Sequence, residues 1–186
     1  MKANRKNIVI AGSGGQGVIL AGTVLGVAAA VYEGKYATQA PTYGTETRGS
    51  PSKSEVVISD QRIGYPKTEQ CDILIAMNQA ALNTNLNNLQ EDSLVILEQD
   101  LVRDIPSLLS KTVRVPSTML AKQSVRSGTF ANIVMLGVLA GASDLVKPES
   151  LRAAIQDVAP AGTVRQNLAA LDLGIEFVKK NAREMK

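Results

Sequence analysis

The sequence predicts an α/β fold: a Rossmann-like, doubly wound and mostly parallel sheet with a helical C-terminal portion, built as a single domain over residues 1–186. Three observations predict it. Strand-like and helix-like segments alternate through the first two thirds of the chain. The early strand candidates are continuous apolar runs, as in a sheet covered on both faces. A glycine-rich turn joins the first of them to a helix.

In order, residues 7–11 are an apolar strand around Ile8-Val9-Ile10, and residues 18–32 are its crossover helix. Glu33-Gly34-Lys35 stops that helix, and residues 36–40 form a short strand ended by Pro41. Residues 42–51 carry neither helical nor strand periodicity and read as a polar loop with two glycines, Gly44 and Gly49. Residues 54–59 alternate around Val56 and Ile58, and residues 72–77 are a second buried-strand run. From 78 to 88 the spacing of Ala81, Leu82 and Leu86 is helical, and the many Asn and Gln there read as its solvated face. Residues 93–97 and 112–115 complete the strands. The last third is helical over 128–142, 148–158 and 163–180, with Pro148 at a first helical position where it is well tolerated.

Composition narrows the function. With 45% hydrophobic residues in 186, the chain can bury a real core. The net charge of +3 is scattered and aromatics make up 3%, so little is available to stack bases, and nucleic acid is a poor partner. The single cysteine, Cys71, excludes an intrachain disulfide framework and a Cys-rich cluster site built from this chain alone. It reads as a buried, inert thiol, and Asp72 after it as the start of a strand. A reducing, cytoplasmic setting follows. No secretory signal is read at the start, and no apolar run spans a bilayer, so no membrane role is expected. Without histidine, a Ser-His or Cys-His nucleophile cannot be assembled. The chain does not read as a complete enzyme.

The glycine turn is the best chemical signal. Gly12, Gly14 and Gly17 fit G-x-G-x-x-G, in which the glycines allow a tight turn, close approach of a ligand or another backbone, and packing of helix on strand. The helix after it begins with free N–H groups and a partial positive charge, which suits an anion. The same turn also serves plain packing. A dinucleotide further requires an acidic residue at the end of the second strand to hold the ribose. That strand ends Thr38-Gln39-Ala40-Pro41, with Glu33 too early and Glu46 in the next loop. A phosphate loop fails too, because Val18 and Ile19 follow Gly17 where Lys and Ser or Thr are needed.

A wider pattern is more specific. Gly12-Ser13-Gly14-Gly15-Gln16-Gly17-Val18, Tyr43-Gly44-Thr45-Glu46-Thr47-Arg48-Gly49, Asp72-Ile73-Leu74-Ile75-Ala76 and Asn132-Ile133-Val134-Met135-Leu136-Gly137 occur in that order. Pro148-Glu149-Ser150-Leu151 and the stretch from Asn167 through Leu171 to Gly174 follow. In these motifs the chain resembles the gamma subunits of 2-oxoacid:ferredoxin oxidoreductases, from about residue 7 to about residue 178. One departure is Ser50, where that family usually has a second glycine after Arg-Gly.

The resemblance implies a subunit of a thiamine-diphosphate-dependent complex that converts a 2-oxoacid and coenzyme A to acyl-CoA and carbon dioxide, with electrons passing through iron–sulfur clusters to ferredoxin. It implies alpha, beta and delta partners, thiamine diphosphate on alpha and beta, clusters on a ferredoxin-like delta subunit, and no catalytic residue or metal on this chain. Such a division agrees with a chain lacking histidine and cluster cysteines. Gly12, Gly14, Gly15, Gln16, Gly17, Tyr43, Glu46 and Arg48 are then the candidates for approaching a coenzyme A phosphate or a partner's backbone. Glu46 and Arg48 fit an internal or inter-subunit ion pair equally well. Asn132 and Asn167 read as helix-start caps or buried hydrogen bonds. General likeness leans toward 2-oxoglutarate. The alternatives are a self-standing Rossmann-type nucleotide-binding module or oxidoreductase and a purely structural interaction protein.

Overall fold

The structure, a computed structural model, describes residues 5–44, 49–66, 70–107 and 111–181. Strand β1 (Arg5–Ser13) turns through the glycines into α1 (Val18–Val27), which continues as a π-helical turn (Ala28–Tyr32). Then come β2 (Tyr36–Tyr43), β3 (Pro51–Ser59), β4 (Cys71–Ala76), α2 (Gln79–Asn85), β5 (Leu89–Glu98) and β6 (Lys111–Val115). Four helices complete the chain: α3 (Ser117–Val125), α4 (Ala131–Ala142), α5 (Pro148–Val158) and α6 (Val164–Asn181).

The six strands form one sheet in the order β2-β3-β1-β4-β5-β6. Pairs β1–β4, β4–β5 and β5–β6 are parallel, whereas β3 lies antiparallel to both β1 and β2. Strand β3 is reversed because residues 44–50 are too few for a crossover, which needs a dozen or more residues, and suffice for a hairpin. The sheet is therefore mostly parallel, as expected, with one reversed strand inside it.

The expected strand at 36–40 runs on through Pro41 to Tyr43. Proline lacks the N–H that a central strand needs, but β2 is an edge strand and can leave that position unpaired. Helix α3 was not expected at all. Its sequence, STMLAKQSV, has weak apolar periodicity and begins after Pro116, which offers no side-chain cap. A distant carboxylate supplies one: Glu98, at the end of β5 and 0% exposed, accepts from Thr118 N–H at 3.0 Å, Thr118 Oγ1 at 3.1 Å and the Ser117 hydroxyl.

The two faces of the sheet are unequal. Ile8 and Ile10 of β1 join Ile73, Ile75 and Ile96 under α1, α4, α5 and α6 in the large core. Val9, Ala11, Leu74, Val95 and Leu97 point the other way, onto Ala81 and Leu82 of α2. Helices thus cover both faces, as continuous apolar strands require. An irregularity between Cys71 and Ile73 breaks the two-residue alternation, so Cys71 joins the α2-side core and Ile73 the other. There burial pushes the Cys71 thiol up to about 12, consistent with an inert cysteine. Asp72 anchors the strand start by accepting from Asn7 N–H at 2.8 Å and Lys6 Nζ at 3.1 Å.

In the helical portion, nearly all of α4 is buried, between the sheet and α6. The two helices cross at Gly137 and Gly174. A Cβ on Gly174 would stand 2.7 Å from the Val138 backbone nitrogen and closer still to the Val134 carbonyl oxygen. Among the described residues no helix is long and apolar enough to cross a membrane.

Candidate functional site

Strand β1 connects through α1 to the β2–β3 side of the sheet, while β4 connects through α2 to β5 on the other side. The connections diverge at the carboxyl ends of β1 and β4, the position at which open α/β sheets leave a crevice for ligands. The glycine turn sits there. Gly15 and Gly17 have φ of 94° and 70°, left-handed values that glycine adopts without strain. At Gly17 there is a second reason: an added Cβ would lie 2.9 Å from Asn132 Cγ, well inside contact distance.

Two amide side chains tie the turn to the end of β4. Gln16 Oε1 accepts from Ser13 N–H at 2.7 Å, and Gln16 Nε2 donates to the Met77 carbonyl at 3.1 Å. Asn78 Nδ2 donates to Ser13 Oγ at 2.9 Å and to Gln16 Oε1 at 3.2 Å, while its Oδ1 accepts from Ala81 N–H at 2.8 Å and so caps α2. From the opposite face Asn132, 3% exposed, donates through Nδ2 to the Gly17 carbonyl at 2.9 Å. The turn is thus braced on both sides of the sheet. Of the two expected asparagines, Asn132 makes the buried bond across to the turn, and Asn167 bonds one turn back to the Thr163 carbonyl at 2.9 Å.

The second motif meets the first at this edge. Gly14 N–H donates to the Ser50 carbonyl at 2.8 Å, and Gly44 N–H to the Pro51 carbonyl at 2.9 Å, so both ends of the β2–β3 connection are tied beside the glycine turn. Tyr43 stands at the same end of the sheet, 67% exposed. Gly14 and Gly15 are exposed, whereas Gln16 turns inward as a brace. Glu46 and Arg48 lie outside the described residues.

The decisive comparison covers almost the whole chain: the model of the pyruvate ferredoxin/flavodoxin oxidoreductase family matches residues 7–177. The chain belongs to this family. Its relatives include the 2-oxoglutarate synthase subunit KorC of Methanocaldococcus jannaschii, 42% identical over 95% of this chain and 95% of that one. The same subunit of Methanothermobacter thermautotrophicus is 43% identical over 96% of this chain and 98% of its own length. Subunits named for ketoisovalerate and for pyruvate match at 34% and 30%. Among solved structures, the gamma subunit of a keto/oxoacid ferredoxin oxidoreductase from Geobacter sulfurreducens superposes with a TM-score of 0.85 at 36% identity, covering 94% of this chain and 96% of that chain. The protein is thus a gamma-type subunit of the 2-oxoacid:ferredoxin oxidoreductases.

Within this family member, sequence reading missed several residues that shape the turn's surroundings. Asn78 and Asn85 fall in the run expected to be a solvated helix face, yet Asn78 caps the helix and braces the turn, and Asn85 is buried. Asn83 and Asn87 are exposed, as expected. Composition does not separate them: Asn78 stands at the N-cap of α2, Asn83 and Asn85 on its exposed and buried sides, and Asn87 in the turn that follows. Lys53 falls between the loop expected at 42–51 and the strand expected at 54–59, and the register sets it directly opposite Ala11 of β1. The single cysteine, Cys71, is buried, and among the described residues no group of three or more His, Cys, Asp or Glu could hold a metal ion.

Proposed function

We propose that this chain is the gamma subunit of a cytoplasmic complex that oxidatively decarboxylates 2-oxoglutarate, and that its glycine turn forms part of the approach for coenzyme A. The reaction joins the acyl group left by loss of carbon dioxide to the thiol of coenzyme A and releases an electron pair and a proton. The electrons pass to ferredoxin. Thiamine diphosphate on the alpha and beta subunits and iron–sulfur clusters on a ferredoxin-like delta subunit supply that chemistry.

The observation that carries the reading is the meeting of the two motifs, with the Ser50 carbonyl bonded to Gly14 N–H in the exposed turn at the carboxyl edge of β1 and Gly44 bonded in turn to Pro51. That edge offers the start of α1 to an anion, and an exposed Tyr43 beside it. Arg48, between the tied ends in sequence, supplies a forked donor for phosphate, with Glu46 to orient it. Gln16, Asn78 and Asn132 then act as positioning residues that hold the turn in shape. The dinucleotide alternative is disfavoured because β2 carries no acidic residue at its carboxyl end to hold a ribose.

Three 2-oxoglutarate synthase subunits are 41–43% identical to the chain and a fourth 31%, against 30–34% for those named for pyruvate and ketoisovalerate, and the three higher values support the choice of substrate. The test is to purify the native assembly through a tag on this chain and assay it on 2-oxoglutarate, pyruvate, 2-oxoisovalerate and indolepyruvate. The highest kcat/KM is expected with 2-oxoglutarate. A preference for any of the others would overturn the substrate assignment.

A further inference from the structure

Helix α1 and the edge strand β2 form a face that this chain leaves uncovered. Between them runs a groove of about 250 Å³, lined by Gly26, Val27, Ala30 and Val31 of the helix and its π-helical continuation and by Ala37 and Thr38 of the strand. We propose that another subunit of the oxidoreductase complex covers this face through an uncharged, aliphatic segment, in a permanent contact. Membership of the family carries this reading, and the coenzyme A site plays no part in it.

Charge sets the face apart. No charged residue occurs from Asn7 to Tyr32 or from Tyr36 to Tyr43. The two charges that fall between, Glu33 and Lys35, are paired at 3.1 Å and held by the α4–α5 connection, where Glu33 accepts from Lys147 N–H at 2.6 Å and Lys35 Nζ donates to the Leu145 carbonyl at 2.8 Å. Helices α5 and α6, by contrast, carry Glu149, Arg152, Asp157, Arg165, Glu176 and Lys180. Helix α4 is uncharged as well, but it is nearly all buried. A helix that is apolar all round belongs inside a protein or a membrane. Helix α1 is far too short to span a bilayer, yet Ile19, Leu20, Thr23, Gly26 and Val27 keep part of their surface, and Val31 beyond them is 66% exposed.

Gly26 has no use within the chain. Glycine is a poor residue for a helix interior, its φ here is not in the left-handed region, and an added Cβ would meet nothing within 4 Å. Four residues earlier the case is different: a Cβ on Gly22 would stand 2.9 Å from Ser54 Cβ, so contact with β3 requires that glycine. At Gly26 the close approach that glycine permits is offered to the outside. The strand agrees with the helix. Exposed sheet edges are ordinarily blunted by charge, by proline or by a covering segment. Strand β2 has Pro41 toward one end and no charge, which leaves residues 36–40 bare, with Tyr36 51% exposed at their start.

The groove fits an apolar occupant. Thr23 Oγ1 donates to Gln39 Oε1 at 3.0 Å, Gln39 Nε2 donates to Ser54 Oγ at 2.9 Å, and Thr38 Oγ1 is enclosed, so these side chains present no free group to a polar ligand. Interfaces of permanent complexes are more apolar than transient ones and resemble a core cut in half. A relative shows such permanence in covalent form. The ketoisovalerate oxidoreductase subunit VorA of Methanothermobacter marburgensis, 34% identical, matches 94% of this chain with 37% of its own length, so the corresponding segment there is continuous with a longer remainder. That tether leads to a different sequence, which favours another subunit over a second copy of this chain.

The test compares the chain alone with the assembly purified through it, using Gly26→Leu, which fills the groove, and Val31→Lys, which charges the face. Met119→Lys, at an exposed position on α3, is the control. Alone, all three variants are expected to melt within about 2 °C of the wild type, since each site is open. In the assembly, Gly26→Leu and Val31→Lys are each expected to lower the affinity for the partner subunits about tenfold, read from copurification at graded concentrations, and Met119→Lys to leave it unchanged. Amide hydrogen exchange over residues 36–40 is expected to be slower in the assembly than in the chain alone. Wild-type affinity in both groove variants, or an equal loss with Met119→Lys, overturns the assignment. So does a chain that dimerises by itself and is dissociated by the same substitutions while the partner subunits stay bound, because the face then joins two copies.

Discussion

Replacing Gly174 by alanine is expected to lower the melting temperature of the chain by about 6–12 °C, which at this size corresponds to a loss of about 3 kcal/mol. Helix propensity alone predicts the opposite, since alanine in a helix interior is favoured over glycine by about 1 kcal/mol. Packing reverses the sign. The new Cβ would stand 2.7 Å from the Val138 nitrogen and 2.8 Å from Gly137 Cα, and closer still to the Val134 carbonyl oxygen, all of them backbone atoms that no rotamer change can move. The helices must separate, and α4 is the helix on which most of the large core rests. Overpacking of this kind costs about 1–3 kcal/mol and occasionally more. Gly26, whose added Cβ would meet nothing within 4 Å, is the control. Gly26→Ala should be neutral or slightly stabilising in the same thermal melt. A Gly174→Ala chain as stable as the wild type would mean that the close crossing is not made.

The second large effect is expected at Glu98. Its carboxylate is 0% exposed and satisfies the Ser117 hydroxyl and the Thr118 N–H and hydroxyl at the start of a helix that has no cap of its own. Glu98→Ala removes the acceptor, strands these donors and opens a cavity. Loss of a cap costs about 1 kcal/mol and an unsatisfied buried donor about 1–3 kcal/mol, so a total near 3 kcal/mol is expected in urea unfolding. Glu98→Gln keeps the shape and one acceptor oxygen and should lose about half as much. A loss below about 0.5 kcal/mol for Glu98→Ala, the size of an ordinary surface substitution, would contradict the capping role.

Helix α3 also marks where sequence reading stops. A cap that arrives from a strand end nineteen residues earlier leaves no local signature, and Pro116 in front of a polar stretch reads as a loop. Strand β2 failed for a related reason. Pro41 ends a strand unless that strand lies at an edge, and edge position is a property of the whole sheet. What was legible was what local physics determines: the apolar runs of β1, β4 and β5, the glycine turn, Pro148 opening α5, and the buried thiol of Cys71. The reversed direction of β3 was not legible, because strands at 36–40 and 54–59 leave enough residues between them for a crossover, and only their extension to Tyr43 and Pro51 shortens the connection to a hairpin.

The site divides along the same line. That Gly12 to Gly17 and the motif from Tyr43 to Gly49 belong together was read from their order, and the bond from Gly14 N–H to the Ser50 carbonyl joins their surroundings in space. Which side chains brace the turn was not legible. Asn78 and Asn132 reach it from opposite faces of the sheet, and Lys53 lies across from Ala11 through strand register alone. These relations are made by pairing and packing between segments far apart in the chain.

The central claim, that this chain is a necessary part of an oxidoreductase whose redox chemistry resides on its partners, is tested most directly by reconstitution. The proposed alpha, beta and delta partners are assayed for 2-oxoglutarate- and coenzyme A-dependent ferredoxin reduction with and without this chain, and the chain is assayed by itself. Turnover is expected when all the subunits are present, a loss of at least tenfold when this chain is left out, and none from the chain alone. Full turnover without it, or oxidation of a 2-oxoacid by the isolated chain, would contradict the account.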